Sequence, residues 1–228
     1  MLRIYLKFFI FAIVFIGFSP SKAGVFDDFF VAIRNDDLPQ VRQLLRRGVD
    51  PNWPDPAGDP ALLVALKAEA KDVALFLARQ PQTQVQSRNP FGETPLMMAA
   101  IQNRLDVAEV LLSRGAEVNH PGWTPLHYAA TRGHTAMMRL LLEHNAYIDA
   151  EAPNGNTPLM MAAQFAPPLA TKLLLEEGAD PHLRNNLDRS ALDLAQMRDN
   201  PQAAFYIRAF IEAWEVNERA QQEGAASQ

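Results

Sequence analysis

The chain of 228 residues contains no cysteine. That absence excludes a disulfide framework, a thiol nucleophile, Cys-ligated zinc and a lipidated N-terminal cysteine. Positive charge is in deficit, with 21 Lys+Arg against 26 Asp+Glu and a formal net charge of -5. A nucleic-acid partner is therefore not expected, because the phosphate backbone demands clustered Lys and Arg. Only 11 glycines occur, and none builds a phosphate-cradling loop. G-x-S-x-G, H-E-x-x-H and the acidic calcium loop are missing too. The remaining composition, 48% hydrophobic and 21% charged, is that of an ordinary globular protein with an apolar core.

The hydrophobic residues are unevenly spread. Arg3 and Lys7 precede an unbroken run of 11 apolar or Gly residues from Phe8 to Phe18. Ser19 and Pro20 then read as a helix end, and Ser21-Lys22-Ala23 offers small residues where a signal peptidase cuts. A membrane-spanning helix needs about 20 apolar residues, which this run does not reach. The expectation is an exported, periplasmic protein, cleaved between Ala23 and Gly24 and free of the membrane afterwards; a retained N-terminal anchor is the alternative. Cleavage would remove Arg3, Lys7 and Lys22 and no acid, leaving 18 basic against 26 acidic residues, a balance of -8. The lack of a stray thiol suits an oxidising compartment.

Beyond residue 23 the chain repeats. Thr94-Pro95-Leu96-Met97-Met98-Ala99-Ala100 recurs as Thr124-Pro125-Leu126-His127-Tyr128-Ala129-Ala130 and as Thr157-Pro158-Leu159-Met160-Met161-Ala162-Ala163. Each copy is followed by a second apolar block ending in a Leu pair, such as Leu111-Leu112 or Leu174-Leu175, and then by a turn at Gly115, Asn145 or Gly178. Weaker copies begin near Asp27, Pro60 and Ser190. The starts at 27, 60, 94, 124, 157 and 190 are 33, 34, 30, 33 and 33 residues apart. A period near 33 that opens on T-P-L-H-x-A resembles the ankyrin repeat.

The unit has a physical logic of its own. Thr caps a helix whose first turn tolerates Pro, and Leu96, Ala99 and Ala100 share one face at i, i+3 and i+4. A left-handed residue such as Gly115 or Asn145 ends the second helix. One unit cannot bury its own apolar face, so stability must come from stacking. The resemblance implies an all-α ankyrin-repeat solenoid of five to six helix-turn-helix units with short β-hairpin fingers. We assign residues 24–214 to this domain and 215–228 to a disordered polar tail. At the ends, Asp27 and Asp28 suit a helix N-terminus. The stripe Phe205, Ile207, Phe210, Ile211 and Trp214 reads as a lid over the last unit.

Three departures stand out. Only His120-Pro121-Gly122-Trp123 separate Asn119 from Thr124, so that finger should be three residues short. The second unit has Pro60-Ala61 for Thr-Pro and Arg79-Gln80-Pro81-Gln82 for the glycine turn, which predicts irregular helix ends. Ala166-Pro167-Pro168 should stiffen the turn between the helices of the fifth unit.

His120, His127 and His134 lie seven apart and invite a metal reading. His127 is the His of T-P-L-H, however, and His134 follows Gly133 in a pair common at the helix–helix turn of this family, so scaffold hydrogen bonding is preferred and no metal or cofactor is expected. Met97, Met98, Met160 and Met161 read as packing residues.

What remains is a surface. In ankyrin stacks partners bind the concave face, built from finger tips and first helices. The matching positions here are Trp53, Asp59, Phe91, Glu93, Trp123, Asn154, Asn156 and Arg189 on fingers, and Gln102, Arg132, Gln164, Phe165 and Arg198 on helices. Trp53, Phe91 and Trp123 offer hot-spot chemistry if exposed; each ring could equally fold back on its own finger. The resemblance extends to periplasmic ankyrin-repeat proteins of Gram-negative bacteria. It implies a monomeric, non-enzymatic scaffold that binds a protein partner, in an accessory role or as an inhibitor of the immunity type.

Overall fold

The computed structural model describes the backbone of residues 20–226 and the side chains of 24–216. Among the described residues there are twelve helices, joined in six pairs. The chain divides into two compact units, residues 1–83 and 84–228.

The first unit holds α1 (Pro20–Arg34), α2 (Leu38–Arg46), α3 (Ala61–Lys67) and α4 (Lys71–Arg79). Phe29, Phe30, Ile33, Val41 and Leu44 from the first pair and Leu62 to Leu66, Val73 and Leu77 from the second form its core. Asp36 ties the pairs together, its carboxylate accepting from the backbone N–H groups of Asp72 (3.2 Å) and Val73 (2.8 Å) at the start of α4. Two expectations need correction. Pro20 opens a helix rather than ending one, which a first-turn proline allows, and Asp27 and Asp28 lie exposed in mid-helix rather than at its start. The run that carries the export expectation, residues 1–19, lies outside the described residues.

The second unit holds α5 (Pro95–Ile101), α6 (Leu105–Ser113), α7 (Pro125–Arg132), α8 (Thr135–Glu143), α9 (Pro158–Phe165), α10 (Pro168–Glu176), α11 (Ala191–Met197) and α12 (Pro201–Ala226). The first helices of its pairs stack in order, α5 on α7 on α9 on α11. Their spacing depends on alanine: Ala99, Ala100, Ala129, Ala130, Ala162, Ala163 and Ala195 are all fully buried. Caps form as the sequence indicates. The Thr94 hydroxyl accepts from the Met97 N–H (3.2 Å) and the Thr157 hydroxyl from that of Met160 (3.4 Å). Asn145 takes the left-handed place past α8 with φ 62, as Gly178 does past α10.

The irregular places are also where the residues predict. Helix α3 starts behind Pro60 and α4 behind Ala70, neither with a side-chain cap, and α4 ends on an extended Gln80. Left-handed Asp36, Glu69, Asn103, Gly133 and Asp199 turn five of the six pairs. The fifth pair instead runs through extended Ala166 and Pro167 into Pro168.

The fingers are not β-hairpins. Among the described residues only isolated bridges occur, Pro54 with Pro60 and Arg184 with Ser190. Three fingers close on a side chain instead of a strand ladder, and the finger at Ala152 closes through its backbone, with the Gly155 N–H donating to the Ala152 carbonyl at 2.8 Å. Asn89 Oδ1 accepts from the N–H groups of Phe91 (3.0 Å) and Glu93 (2.9 Å), and Asp55 and Asn185 do the same in their own fingers. Prolines at 54, 56, 60 and 90 remove the donors a ladder would need.

The C-terminal lid also differs. Ala203, Ala204 and Ile207 are its buried face, Phe210 and Ile211 are half-buried, and Phe205 and Trp214 are exposed. Residues two apart on a helix point about 200° away from each other, so Phe205 and Ile207 cannot share one face. The helix itself runs on to Ala226, over residues the sequence assigns to a polar tail.

Candidate binding surface

The fingers share one register, set by the residue that closes each turn: Asp55, Asn89, Ala152 and Asn185. Two positions later come the tips, Ala57, Phe91, Asn154 and Leu187, all exposed. Two further on lie Asp59, Glu93, Asn156 and Arg189, half-buried or buried. The finger geometry therefore alternates between water and scaffold, and it sorts the candidate residues.

Phe91 is the most open of them. Its ring is 85% exposed although its own N–H and that of Glu93 are pinned by Asn89. Glu93 turns inward, accepting from Asn89 Nδ2 at 2.7 Å. Leu187 occupies the same tip position on the last finger and is 68% exposed. The sequence reading missed it, although Asn185-x-Leu187 repeats the spacing of Asn89-x-Phe91. Asn154 is exposed, with its carbonyl accepting from the Asn186 N–H at 3.1 Å. Asn156 is not available to a partner. It is buried; its carbonyl accepts from His127 Nε2 (3.0 Å) and its Oδ1 from Asn185 Nδ2 (2.7 Å).

The two finger tryptophans, Trp53 and Trp123, are scaffold-facing. Trp53 is half-buried against Phe26 (ring centroids 5.7 Å) and Phe29 (6.4 Å, edge-on), within the first unit's own aromatic cluster. Asp59 nearby pairs with Lys67 at 3.0 Å. Trp123 stands half-buried and edge-on to His127 (5.4 Å) and beside Tyr128 (6.4 Å), so the short finger is covered by its own tryptophan.

The last turns of the first helices complete the surface. Arg132 is exposed, Gln102 and Gln164 are half-buried, and Phe165 is 48% exposed. The Arg198 guanidinium lies 5.1 Å from the centre of the Phe165 ring, an exposed cation–π pair joining neighbouring repeats. Met197, the last residue of α11 and next to Arg198, is 58% exposed and was not anticipated. Within residues 84–228 the face thus presents Phe91, Phe165, Leu187 and Met197 among Arg132, Asn154, Arg198 and the partly exposed Arg189.

The histidines are separately employed. His127 is fully buried, and donation from Nε2 to the Asn156 carbonyl leaves Nδ1 to accept from the Thr124 N–H (3.2 Å) and hydroxyl (2.9 Å). Burial lowers its pKa from 6.5 to about 4, outweighing the opposing hydrogen bonds, so the ring is neutral. His134 Nε2 donates to the Ile101 carbonyl (3.0 Å), and His120 Nδ1 to that of Pro121 (2.9 Å). Among the described residues no group of three His, Cys, Asp or Glu side chains is placed to hold a metal ion. Met97 and Met160 are buried in the core, and Met97 Sδ accepts the Thr94 N–H as the His127 ring accepts that of Thr124. Among the described residues no helix is long and apolar enough to cross a membrane.

The family model for ankyrin repeats (3 copies) matches residues 29–122 and 117–185. A chain of the solved complex between a predatory endopeptidase from Bdellovibrio bacteriovorus and an immunity protein superposes with a TM-score of 0.70 at 28% identity, covering 80% of this chain and 97% of that one. An ankyrin repeat domain from Acinetobacter baumannii gives 0.69 at 25% identity, covering 80% and 96%. Among curated sequences, the putative palmitoyltransferase ZDHHC13 of Danio rerio is 32% identical over 150 residues, 63% of this chain and 23% of that protein. Notch homolog protein 1 of Mus musculus is 35% identical over 120 residues, 51% of this chain and 5% of that protein. The chain thus spans less than a quarter of the length of these curated relatives.

Proposed function

The chain belongs to the ankyrin-repeat family, whose repeats are protein-interaction modules, and we propose that it binds a partner protein through the finger and first-helix face of residues 84–228. The observation that carries this reading is Phe91, a large aromatic ring held 85% exposed on a hydrogen-bonded finger. A rigid backbone presenting an apolar anchor gives up little conformational entropy on binding. The role in this reading is that of an interaction module, and the buried His127 serves the scaffold through its hydrogen bonds to Thr124 and Asn156. The chain acts as an accessory scaffold in the periplasm, as a monomer, after export and cleavage at Ala23–Gly24.

A second reading is favoured by one relative. The superposed Bdellovibrio chain comes from a complex of an endopeptidase with an immunity protein. By that likeness, the same face would sequester a co-exported enzyme instead of supporting it.

Crosslinking and pull-down from the native compartment, with purified partner then used for affinity measurement, tests both readings. Phe91→Ala should weaken binding by about 1–2 kcal/mol or more, as a hot-spot anchor does. Trp123→Ala should cost binding less, because that ring rests on His127 and Tyr128. Unchanged affinity for Phe91→Ala removes the finger tip from the interface. Inhibition of a captured enzyme selects the sequestering role, and unimpaired enzyme selects the accessory one. Intact-mass measurement on the exported protein should give a chain beginning at Gly24. A mass that retains residues 1–23 makes it a membrane-tethered scaffold.

A further inference from the structure

The first unit has a groove on its second helices that the repeat pattern alone would not create. In later repeats the second helix runs on to a left-handed residue such as Asn145 or Gly178. After α4 the corresponding place is held by Pro81, and a residue before proline is driven out of the helical region. Gln80 accordingly turns extended at φ -69, ψ 127. The chain peels away from the helix, and Gln80 and Gln82 become one wall of an opening of about 420 Å³ between α2 and α4. That volume falls within the range of about 300–1,000 Å³ typical of ligand sites.

Its floor is apolar, made by Leu45, Val49, Pro51 and Phe76, and its rim is cationic. The Arg42 guanidinium stacks 4.9 Å from the centre of the Phe76 ring. Arg46, one helical turn on, brings a second exposed guanidinium to the same opening. Other cations of this unit find acids: Arg34 pairs with Asp55 and Lys67 with Asp59, each at 3.0 Å. Among the described residues no ion pair involves Arg42 or Arg46. Like charges at i and i+4 repel, and an arriving carboxylate relieves that repulsion. Stacking on Phe76 also restricts the Arg42 fork before any ligand arrives, so less freedom is lost when it grips a carboxylate.

We propose that this groove docks an acidic, apolar segment of a partner protein. An aliphatic or aromatic side chain lies over Leu45, Val49 and Phe76, and flanking Asp or Glu carboxylates take the Arg42 and Arg46 guanidiniums. Phosphate chemistry alone would use the rim and leave the floor wet. The groove shares no residue with the finger face of residues 84–228, so the two sites stand or fall separately.

The test uses the full chain and a fluorescein-labelled Glu-Glu-Leu-Phe-Glu-Glu peptide, with binding read by fluorescence anisotropy. Saturable binding is expected, weakening as salt rises. Arg46→Gln should weaken it at least tenfold, as should replacing the peptide's glutamates with glutamine or its Leu-Phe with Gly-Gly. Arg47→Gln, outside the groove, and Phe91→Ala should leave it unchanged. Arg46 is exposed, so its variant should fold, which far-ultraviolet circular dichroism confirms. No saturable binding overturns the proposal, as does an unaffected Arg46→Gln variant. Equal binding of the Gly-Gly peptide, or displacement by millimolar inorganic phosphate, reduces the groove to a simple anion site and overturns it as well.

Discussion

Replacing His127 with alanine should destabilise the second unit by about 3–5 kcal/mol, combining the cavity left in a closed core with the unpaired polar groups around it. The ring is fully buried and serves three partners: the Asn156 carbonyl, the Thr124 N–H and the Thr124 hydroxyl. It thereby joins the cap of α7 to the finger of the next repeat. The chain itself suggests a gentler variant. Met97 fills the corresponding position in the preceding repeat and accepts the Thr94 N–H through Sδ at 3.4 Å. His127→Met should keep that cap and fill most of the volume, while the Thr124 hydroxyl loses its ring partner and the Asn156 carbonyl keeps only the Ala152 N–H (2.9 Å), at about 1–3 kcal/mol.

The same ring makes stability depend on pH, and the sign follows from its depressed pKa. The unfolded chain takes up the His127 proton near pH 6.5, the folded chain only near 4. Between those values the unfolded state holds more protons, so this contribution is whole above about pH 6.5 and is lost as pH falls towards 4. The loss should total about 3 kcal/mol across that window. Denaturant midpoints measured from pH 7 to pH 4 should fall for the natural chain and lose this component in His127→Met. Parallel curves for the two proteins would mean that His127 is not buried neutral.

The repeat was legible because its signals are local. Thr-Pro, the Leu-x-x-Ala-Ala face and the left-handed residue each act within a few residues, and the period exposes them. The sorting of the binding residues was not legible, because it depends on finger register. Trp123, Asn156, Glu93 and Arg189 all immediately precede the capping Thr or Ser, a position the finger turns towards the scaffold. Phe91 lies two residues earlier in the register than Glu93 and points into water. Chemically, Trp53, Phe91 and Trp123 looked alike; only the closing residue of each turn distinguishes them. Trp53 had a further disguise, since its partner Phe26 lies in a stretch of α1 that preceded the expected start of the repeat. The groove beside Arg42 was half visible: Pro81 marked an irregular turn, but its proximity to Phe76 and the two arginines needs the packing of α2 on α4.

Gly155→Ala should be the second large loss, and it separates backbone strain from steric exclusion. Gly155 sits at φ 74, and a Cβ there would lie 2.8 Å from the Asn186 backbone nitrogen and 2.6 Å from its side-chain oxygen. Those atoms belong to the seam between neighbouring fingers, where the Asn186 N–H donates to the Asn154 carbonyl at 3.1 Å and Asn186 Nδ2 to that of Pro153 at 3.1 Å. The left-handed backbone alone costs an L-residue about 1–2 kcal/mol. Losing two hydrogen bonds adds about 1 kcal/mol each, for a total of about 3–4 kcal/mol. Gly115→Ala is the control: its φ is 80, but a Cβ would meet nothing within 4 Å. It should lose only the backbone share, and Gly115→Asn less still, since Asn145 already adopts that conformation at the matching place. The seam also holds Asn154 and the neighbouring tip Leu187 in position. Gly155→Ala should therefore weaken partner binding even under conditions where the protein remains folded, while Gly115→Ala should not. Equal destabilisation by the two alanines would show that the fingers yield freely, and a rigid presenting face would then be the wrong description of this surface.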